Sequence, residues 1–519
     1  MKDSFRQSMA WLHTWTGLVP GWLLYIIFLF GTVAYFQSEI SRWMRPELTP
    51  APVSAKALDA ADALLRQRAA GAASWNVTLP DDRRGDPLSV SWMPEGADRS
   101  QREKFSLDPA TGQEIAVRET SGGFFLYRMH FDLHYMPVYW ARYLACIAAL
   151  SMLVAILSGV VTHKKIFTDF FLLRFGKGQR SWLDAHNVTA VLALPFYLMI
   201  TYTGLVTLLF TLMPWAITAS FGTPGAFFEA SSPPPPKLEA AQASGPRLPL
   251  SMLVASAERS SEGMKPAFIT IRKPGDPTSP VEIWPQTNSL GGERAMIFLD
   301  GATGEILHRE GGRGGAKATQ QVMINLHAGR FSGPMLRWLY FLSGVGGTIM
   351  VATGLVLWTV KRRAKLPDPA RPHFGFRLVE RLNIGFIAGA PAGIACYFLA
   401  NRLLPLDMAH RSDWEVNLLF IGWGALFVWS IGRPAKQAWV ETLTACATLY
   451  ALVPLVNAAT TSHGLVPSLF AGDRVFVTFD LLMLVMAAAC AFTARKVLAH
   501  QPKAAPRRRA APTMAEAGA

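Results

Sequence analysis

Eight long apolar stretches, separated by polar segments, dominate the 519-residue sequence. A helix needs about 20 consecutive apolar residues to cross a hydrocarbon core of about 30 Å, and each stretch is long enough. We predict spans at 11–36, 138–162, 186–214, 334–360, 383–403, 414–432, 438–458 and 473–493. The first stretch is too long for the apolar part of a signal peptide and lacks a small-residue cleavage site, so we interpret it as a span.

Two polar segments, 37–137 and 215–333, follow the first and third spans. Each contains a helical stretch, then short alternating strands, then a hairpin in which Asp begins the turn and Gly accepts a positive φ. The hairpins are predicted at 105–115 and 297–307. This shared order indicates an internal duplication of the unit span, polar domain, span. The last four spans, 383–493, have no counterpart in the repeat.

Composition supports a bilayer as the main solvent, since hydrophobic residues make up 51% of the chain and charged residues only 17%. The formal net charge of +14 would suit nucleic acid if it were spread over a soluble surface. It is instead concentrated at the N-terminus, after the second, fourth and sixth spans, and in the C-terminal tail. The connections on the other side, 404–413 and 459–472, hold one basic residue, Arg411. Both termini are therefore predicted to be cytoplasmic, and nucleic-acid binding is excluded.

This orientation divides the chain into ten units. They are the N-terminus with the first span (1–36), an outer domain (37–137), the second span (138–162), a cytoplasmic loop (163–185), the third span (186–214), a second outer domain (215–333), the fourth span (334–360), a cytoplasmic loop (361–382), a four-span extension (383–493) and a basic cytoplasmic tail (494–519). The cytoplasmic loops are too short to hold a flavin or nicotinamide domain.

All four cysteines, Cys146, Cys396, Cys446 and Cys490, lie inside apolar stretches. No CxxC or CxxCH motif occurs in the sequence. This pattern excludes a disulfide scaffold, a cysteine-ligated zinc or iron–sulfur site, and covalently attached c-type haem.

Five histidines at the ends of the first four spans carry the candidate chemistry. His13 and His186 open the first and third spans from the cytoplasmic side, and His134 and His327 lie at the outer ends of the second and fourth. The duplication relates His13 to His186 and His134 to His327. His163 closes the second span on the cytoplasmic side.

Imidazole is costly near a membrane unless it has a partner or a function. Two histidines on neighbouring helices of a bundle can supply both axial ligands of a b-type haem. We therefore predict an outer haem between His134 and His327, and an inner haem between two of the other three, with the choice among them open. Two haems placed in this way would form an electron path across the membrane.

Small residues near the histidines fit this hypothesis. Gly17 and Ala190 each follow a histidine by four positions, so each lies on the same helix face as that histidine and would let a flat macrocycle approach. His130, one helical turn before His134, is an alternative ligand, an entrance residue or an outer-surface residue, and we favour one of the last two.

Several of these residues lie in motifs that resemble the PepSY-associated transmembrane family. The motifs are His13-Thr-Trp-Thr-Gly17, the stretch 157–167 around His163, Asp184-Ala-His-Asn187 and Asn325-Leu-His-Ala-Gly329. The two Leu-Asp-x-x-Thr-Gly hairpins are similar to those of PepSY domains. The resemblance covers roughly residues 8–363.

The resemblance implies an iron-regulated inner-membrane protein or ferrisiderophore reductase with two b-type haems in a four-helix core. The axial ligands would come from His13, His134, His163, His186 and His327, of which one of the inner three is not a ligand. Such an oxidoreductase reduces Fe(III) in a siderophore to Fe(II) on the periplasmic side for iron uptake. Quinol or a separate reductase would supply the electrons.

The predicted fold class is a polytopic α-helical membrane protein. It has a duplicated four-helix haem-binding core, two extracytoplasmic α+β PepSY-like domains and four extra C-terminal helices. The alternative function is a non-enzymatic regulator whose PepSY-like domains bind peptides or restrain a protease. A transporter is least favoured, because Asp480 is the one ionisable residue well inside the last four spans. A haem protein would be red, and a regulator colourless.

Overall fold

The structure is a computed structural model. It covers residues 4–501 apart from 81–86, 98–100, 164–171, 232–245, 261–263, 287–288, 292–295, 311–313 and 370. Most of the predicted basic tail thus lies outside the described residues.

Eight apolar helical segments of the described chain are long enough to cross a membrane. Six are continuous, namely Val138–Thr162, Pro334–Arg363, Phe374–Leu403, Arg411–Ile431, Ala435–Thr460 and Arg474–Ala499. The first and third spans are instead bent pairs, Phe5–Leu18 with Gly21–Ala34 and Gln179–Leu192 with Leu194–Thr207. The apolar stretches are therefore helical, as predicted, and the chain is a multi-pass membrane protein.

The two bends fall at equivalent places in the repeat. The halves of the first span meet at 61° and those of the third at 68°. Pro20 is the N-cap of the outer half of the first span, and Pro195 lies in the first turn of the outer half of the third. Proline fits the first turn of a helix because the backbone N–H groups of that turn have no acceptor within the helix, so the N–H that proline lacks is not missed. Each bend thus divides a span into an N-terminal half and a C-terminal half, and the predicted orientation makes these the inner and the outer half.

The repeated units also repeat their packing. The inner half of the first span packs on the second span, and the inner half of the third packs on the fourth. On the outer side, the helix Gly122–Asp132 packs on the outer half of the first span, and Gly315–Ala328 packs on that of the third. In each unit, therefore, the helix that precedes the second span packs against the first span.

The two outer segments form one antiparallel sheet of eight strands in the order β4-β3-β2-β1-β5-β6-β7-β8. The strands are β1 Ser74–Thr78, β2 Ser89–Met93, β3 Glu103–Leu107, β4 Glu114–Ile115, β5 Pro266–Arg272, β6 Val281–Pro285, β7 Ile297–Leu299 and β8 Ile306–Arg309. The repeats join where β1 pairs with β5, with Asn76 opposite Thr270. Alternate residues such as Trp75 and Ile269 point to one face, where the helices Ala55–Arg68 and Leu250–Ser260 cover them. The two predicted domains are thus halves of one sheet.

Both predicted hairpin turns are present. The Asp108 Oδ1 atom accepts a hydrogen bond from the Thr111 backbone at 2.7 Å, and the Asp300 Oδ1 atom accepts one from Ala302 at 2.7 Å. Gly112 and Gly304 have φ of +75° and +73°, a conformation that glycine adopts without the cost of a Cβ clash. These aspartates act as turn residues.

The four-span extension packs against the first span. Its first helix, Phe374–Leu403, contains a π-helical turn at Gly385–Gly389. Just before this turn, the Asn383 side chain accepts a hydrogen bond from the Trp22 indole at 2.9 Å and donates one to the Leu355 carbonyl at 3.1 Å. One amide thus connects the extension to the first and fourth spans.

The remaining helices among the described residues are short. They are Gln37–Trp43, Leu209–Leu212, Pro214–Phe221, Pro224–Ser231 and Leu465–Phe470.

Candidate functional site

Four histidines form two pairs inside the duplicated core. The ring centroids of His13 and His186 are 6.2 Å apart, and those of His130 and His327 are 5.9 Å apart. Each pair takes one histidine from each repeat. The pair His13–His186 lies on the inner halves of the bent spans, whereas His130 and His327 lie on the two outer helices that precede the second and fourth spans. We call them the inner pair and the outer pair.

Each of the four rings is held by one backbone carbonyl of a neighbouring span. The Nδ1 atoms of His13 and His186 lie 2.8 Å from the Ala155 oxygen and 2.9 Å from the Met350 oxygen. In the outer pair, the Nδ1 atoms of His130 and His327 lie 2.6 Å and 2.9 Å from the oxygens of Ile27 and Ile200. A carbonyl oxygen can only accept, so in each ring Nδ1 carries the hydrogen and Nε2 keeps its lone pair. Histidines that bind metals have this arrangement.

A glycine stands four residues after each of these carbonyls. The glycines are Gly159, Gly354, Gly31 and Gly204, which follow Ala155, Met350, Ile27 and Ile200. A Cβ added at Gly31 would lie 2.6 Å from the His130 ring, and one at Gly204 would lie 2.9 Å from the His327 ring. The corresponding distances at Gly159 and Gly354 are 3.0 and 3.1 Å. Because the glycine has no side chain, it leaves room for the imidazole ring beside the carbonyl oxygen to which the ring's Nδ1 is bonded.

The outer pair adjoins a cavity of about 320 Å³. Apolar side chains line its deeper part, including Leu24, Phe28 and Phe196. Polar side chains from the ends of the spans, Gln37 and Arg142 among them, line its outer part. The cavity is thus mostly apolar, with charged and polar side chains contributed from the outer ends of the spans, and both imidazoles of the outer pair line it.

His134 does not face His327, which corrects the expected outer pairing. Its ring packs on Phe420 at a centroid distance of 5.7 Å and on Phe125 at 5.4 Å. The helix Gly122–Asp132 ends before it, and His134 lies in a run of three residues with positive φ. The expected repeat aligned His134 with His327, whereas the residue on the equivalent helix is His130. The residue interpreted as an entrance or surface residue therefore occupies the paired position.

Of the three inner histidines, His163 is the one outside the pair. Its Nε2 atom lies 2.8 Å from the Asn187 side-chain nitrogen, and it is the C-cap of the second span. Asn187 follows His186 directly, so His163 lies beside the inner pair. Of these three rings, the structure brings His13 and His186 together, and which of them bind a haem stays a prediction.

That Gly17 and Ala190 let a macrocycle approach stays a prediction. Gly17 has no atom within 4 Å of an added Cβ, so it does not make room for one of the paired rings. The sequence feature that marks the four paired rings is a glycine on the neighbouring helix whose carbonyl bonds each ring. Ile27 and Gly31 stand at the same offset from Ile200 and Gly204 as His13 does from His186.

Each pair offers two imidazole nitrogens and no further ligand of the usual metal-binding types. Within the described residues, no three side chains of His, Cys, Asp or Glu are grouped to hold a metal ion. Two imidazoles on opposite sides suit a metal whose other ligands come from a macrocycle.

This fold defines a multi-pass membrane protein with a duplicated core of four spans and two histidine pairs. A family model described as the PepSY-associated TM region matches residues 10–361, and the protein belongs to this family. It is 28% identical over 365 residues to "Uncharacterized protein PA4219" of Pseudomonas aeruginosa, over 67% of this chain and 88% of that protein. The family match ends before the four-span extension.

Proposed function

We propose that the protein is a di-haem b electron-transfer protein of the bacterial inner membrane that reduces ferric siderophores on the periplasmic side. The inner pair, His13 and His186, would hold one haem, and the outer pair, His130 and His327, the other. Haem bound at each pair supplies an iron that gains and loses one electron. The observation that carries the proposal is the fourfold arrangement of a ring, a carbonyl and a glycine.

The spacing of the rings fits this assignment. A first-row metal lies about 2 Å from an imidazole nitrogen, which lies about 1 Å from its ring centroid, so two imidazoles that share one metal have centroids about 6 Å apart. The observed distances of 6.2 and 5.9 Å agree with this value. The Nδ1 bonds hold each ring in the tautomer that leaves Nε2 available for iron.

The orientation supports outward transfer. The excess of basic residues on one side predicts that both termini are cytoplasmic, so the inner pair lies toward the cytoplasm and the outer pair toward the periplasm. Quinol or a separate reductase would deliver electrons at the inner pair. The predicted topology leaves no cytoplasmic loop long enough for a flavin domain.

Ferric siderophore is a suitable acceptor for chemical reasons. Hard oxygen ligands hold the more highly charged Fe(III) ion more tightly than Fe(II). A one-electron reduction at the periplasmic side therefore loosens the metal and leaves the chelator intact. The eight-stranded sheet lies on the same side of the spans as the outer pair, where it could hold or steer the ferric complex.

The alternative is a non-enzymatic regulator that binds peptides or restrains a protease through its outer sheet. That function would not require two histidine pairs with free Nε2 atoms. It would also not require a glycine beside each of the four rings. We therefore favour electron transfer.

The test uses the full chain purified in detergent from cells supplied with iron and a haem precursor. A pyridine haemochrome assay should give two b-type haems per chain. The reduced protein should then be reoxidised by a ferric trihydroxamate siderophore, with Fe(II) appearing in a ferrous chelator. The Ga(III) complex of the same siderophore is the matched control, because it has the same charge and cannot be reduced in this way. A colourless protein would contradict the proposal. A red protein that the ferric complex does not reoxidise would contradict the assignment of the substrate.

A further inference from the structure

The cavity at the outer pair has one apolar end and one cationic end. Leu24 and Met152 line the part that lies deeper in the spans. Arg142, in the second turn of the second span, and Arg330, just before the fourth span, line the part nearest the outer sheet. The two arginines come from different repeats.

A polar atom without a partner lies at the same end. The Gln37 side chain lines the cavity, and its Oε1 atom is buried without a hydrogen-bond partner among the described residues. A buried polar atom usually has a partner, and since Oε1 accepts only, its partner here would be a donor such as water or an arginine N–H. Arg142 donates from Nε to Asp132 at 3.0 Å. A guanidinium has five N–H donors, so this bond leaves capacity for a second carboxylate.

The two arginines do not follow the repeat. The position equivalent to Arg142 in the fourth span is Arg337, at the same offset that relates Gly159 to Gly354. Arg337 forms an ion pair with Glu39 and is not among the residues that line the cavity. Arg330 follows His327 by three residues, and the residue three after His130 is Leu133. Arg142 thus has a counterpart of the same type that binds a different partner, and Arg330 has no arginine counterpart, so the cationic lining itself is not repeated.

We propose that Arg142 and Arg330 bind the two carboxylates of the haem held by the outer pair, so that its carboxylate edge faces the periplasm and its apolar edge faces the deeper cavity. This inference rests on the proposed function. Arginine suits the role because its planar fork matches a carboxylate and keeps its charge when partly buried. Haem has the same polarity as the cavity, with two carboxylates on one edge and apolar substituents on the other.

The electrostatic consequence can be measured. A positive charge near the iron favours the reduced form, since oxidation adds positive charge to the site. Loss of either arginine should therefore lower the midpoint potential of the outer haem and leave the inner potential unchanged. His13→Ala, which keeps only the outer haem, assigns the two potentials.

The test is a potentiometric titration of full-length Arg142→Gln, Arg330→Gln and the double variant, with haem content measured in parallel. Arg337→Gln is the matched control, because it removes an equivalent charge that pairs with Glu39 and does not line the cavity. We expect a lower outer potential in each single variant, a larger fall or loss of the outer haem in the double variant, and no change in the control. Arg142→Lys, which keeps the charge, should recover most of the shift.

The outcomes separate the two proposals. A wild-type chain without haem overturns the proposed function together with this inference. Two haems per chain with potentials unchanged in all arginine variants overturn the inference alone. An equal fall in Arg337→Gln would also overturn it, since the effect would then be one of general charge. If Arg142→Gln fails to fold, Arg330→Gln and Arg142→Lys still decide the question.

Discussion

The imidazole ring of His130 faces that of His327 at a centroid distance of 5.9 Å. Each ring is bonded through Nδ1 to a carbonyl of its own repeat's first span, Ile27 for His130 and Ile200 for His327. The two rings therefore enter the core as equivalent parts of a duplicated unit. His134, four residues further along, packs on Phe420 of the extension instead.

This relationship predicts which histidine variants lose the outer haem. His130→Ala or His327→Ala should halve the haem content, because each removes one of the two axial ligands at the outer site and leaves the inner site intact. His134→Ala is the control and should retain two haems. The measurement is haem per chain by pyridine haemochrome. Retention of both haems in His130→Ala, with loss in His134→Ala, would restore the pairing expected from the sequence.

The inner pair gives a second prediction. His13→Ala and His186→Ala should each lose the inner haem, whereas His163→Ala should keep it, because the His163 ring bonds Asn187 and lies outside the pair. Reduced-minus-oxidised spectra at low temperature would resolve the remaining haem in each variant. Loss of one haem in His163→Ala alone would show that the inner ligands are paired differently.

A third prediction concerns the glycine beside the outer ring. Gly31→Ala should reduce the outer haem although all four histidines are present, since its Cβ would lie 2.6 Å from the His130 ring. Gly17→Ala has open space around the new Cβ and should bind two haems. It should also be as stable as the wild type or slightly more so, because alanine is favoured over glycine in a helix by up to about 1 kcal/mol. Equal haem content in both variants would mean that the ring does not need the glycine.

Much of the architecture could be predicted from the sequence. The spans are readable because a bilayer requires long apolar runs, and few other structures produce them. The duplication is visible because turn residues such as Asp108 and Asp300 recur in the same order. Of the five histidines that the span ends indicated, His13, His186 and His327 lie in ring pairs and His163 lies beside one of them, while haem ligation by any of them stays a prediction.

The correct partner of His327 could not be predicted in the same way. The sequence aligns Leu133-His134 with Leu326-His327, but the helix that carries His130 ends at Asp132 and the chain then turns through three residues of positive φ. Where a helix ends depends on its tertiary contacts as well as on its local sequence. The single sheet was missed for a similar reason, because the pairing of β1 with β5 joins strands from different repeats.

Ionisable residues in the extension were also underestimated. Besides Asp480, the extension also buries Arg402 and Glu415. Arg402 is 6% exposed and donates to Asn457, which in turn donates to Asp480 at 3.1 Å. The Trp43 indole donates to the same Asp480 carboxylate at 3.1 Å. This network connects the extension to the helix that follows the first span, so these charges have structural partners.

The last prediction follows from the most buried ion pair of this region. Arg411 and Glu415 are both fully buried, and the Glu415 carboxylate also accepts hydrogen bonds from Thr120 at 2.5 Å and Asn401 at 2.7 Å. Arg411→Ala should destabilise the protein by about 3–5 kcal/mol, because it leaves a buried carboxylate without its cation.

Unfolding in detergent, followed by intrinsic tryptophan fluorescence, would measure this effect. Glu441→Gln is the control, since Glu441 and Arg433 form a partly exposed pair at 3.5 Å whose loss should cost no more than about 1 kcal/mol. A small and equal loss of stability in both variants would show that the Arg411–Glu415 pair does not hold the extension to the outer segment. A large loss in Arg411→Ala alone, with both haems still bound before unfolding, would assign the extension a supporting role that is separate from haem binding.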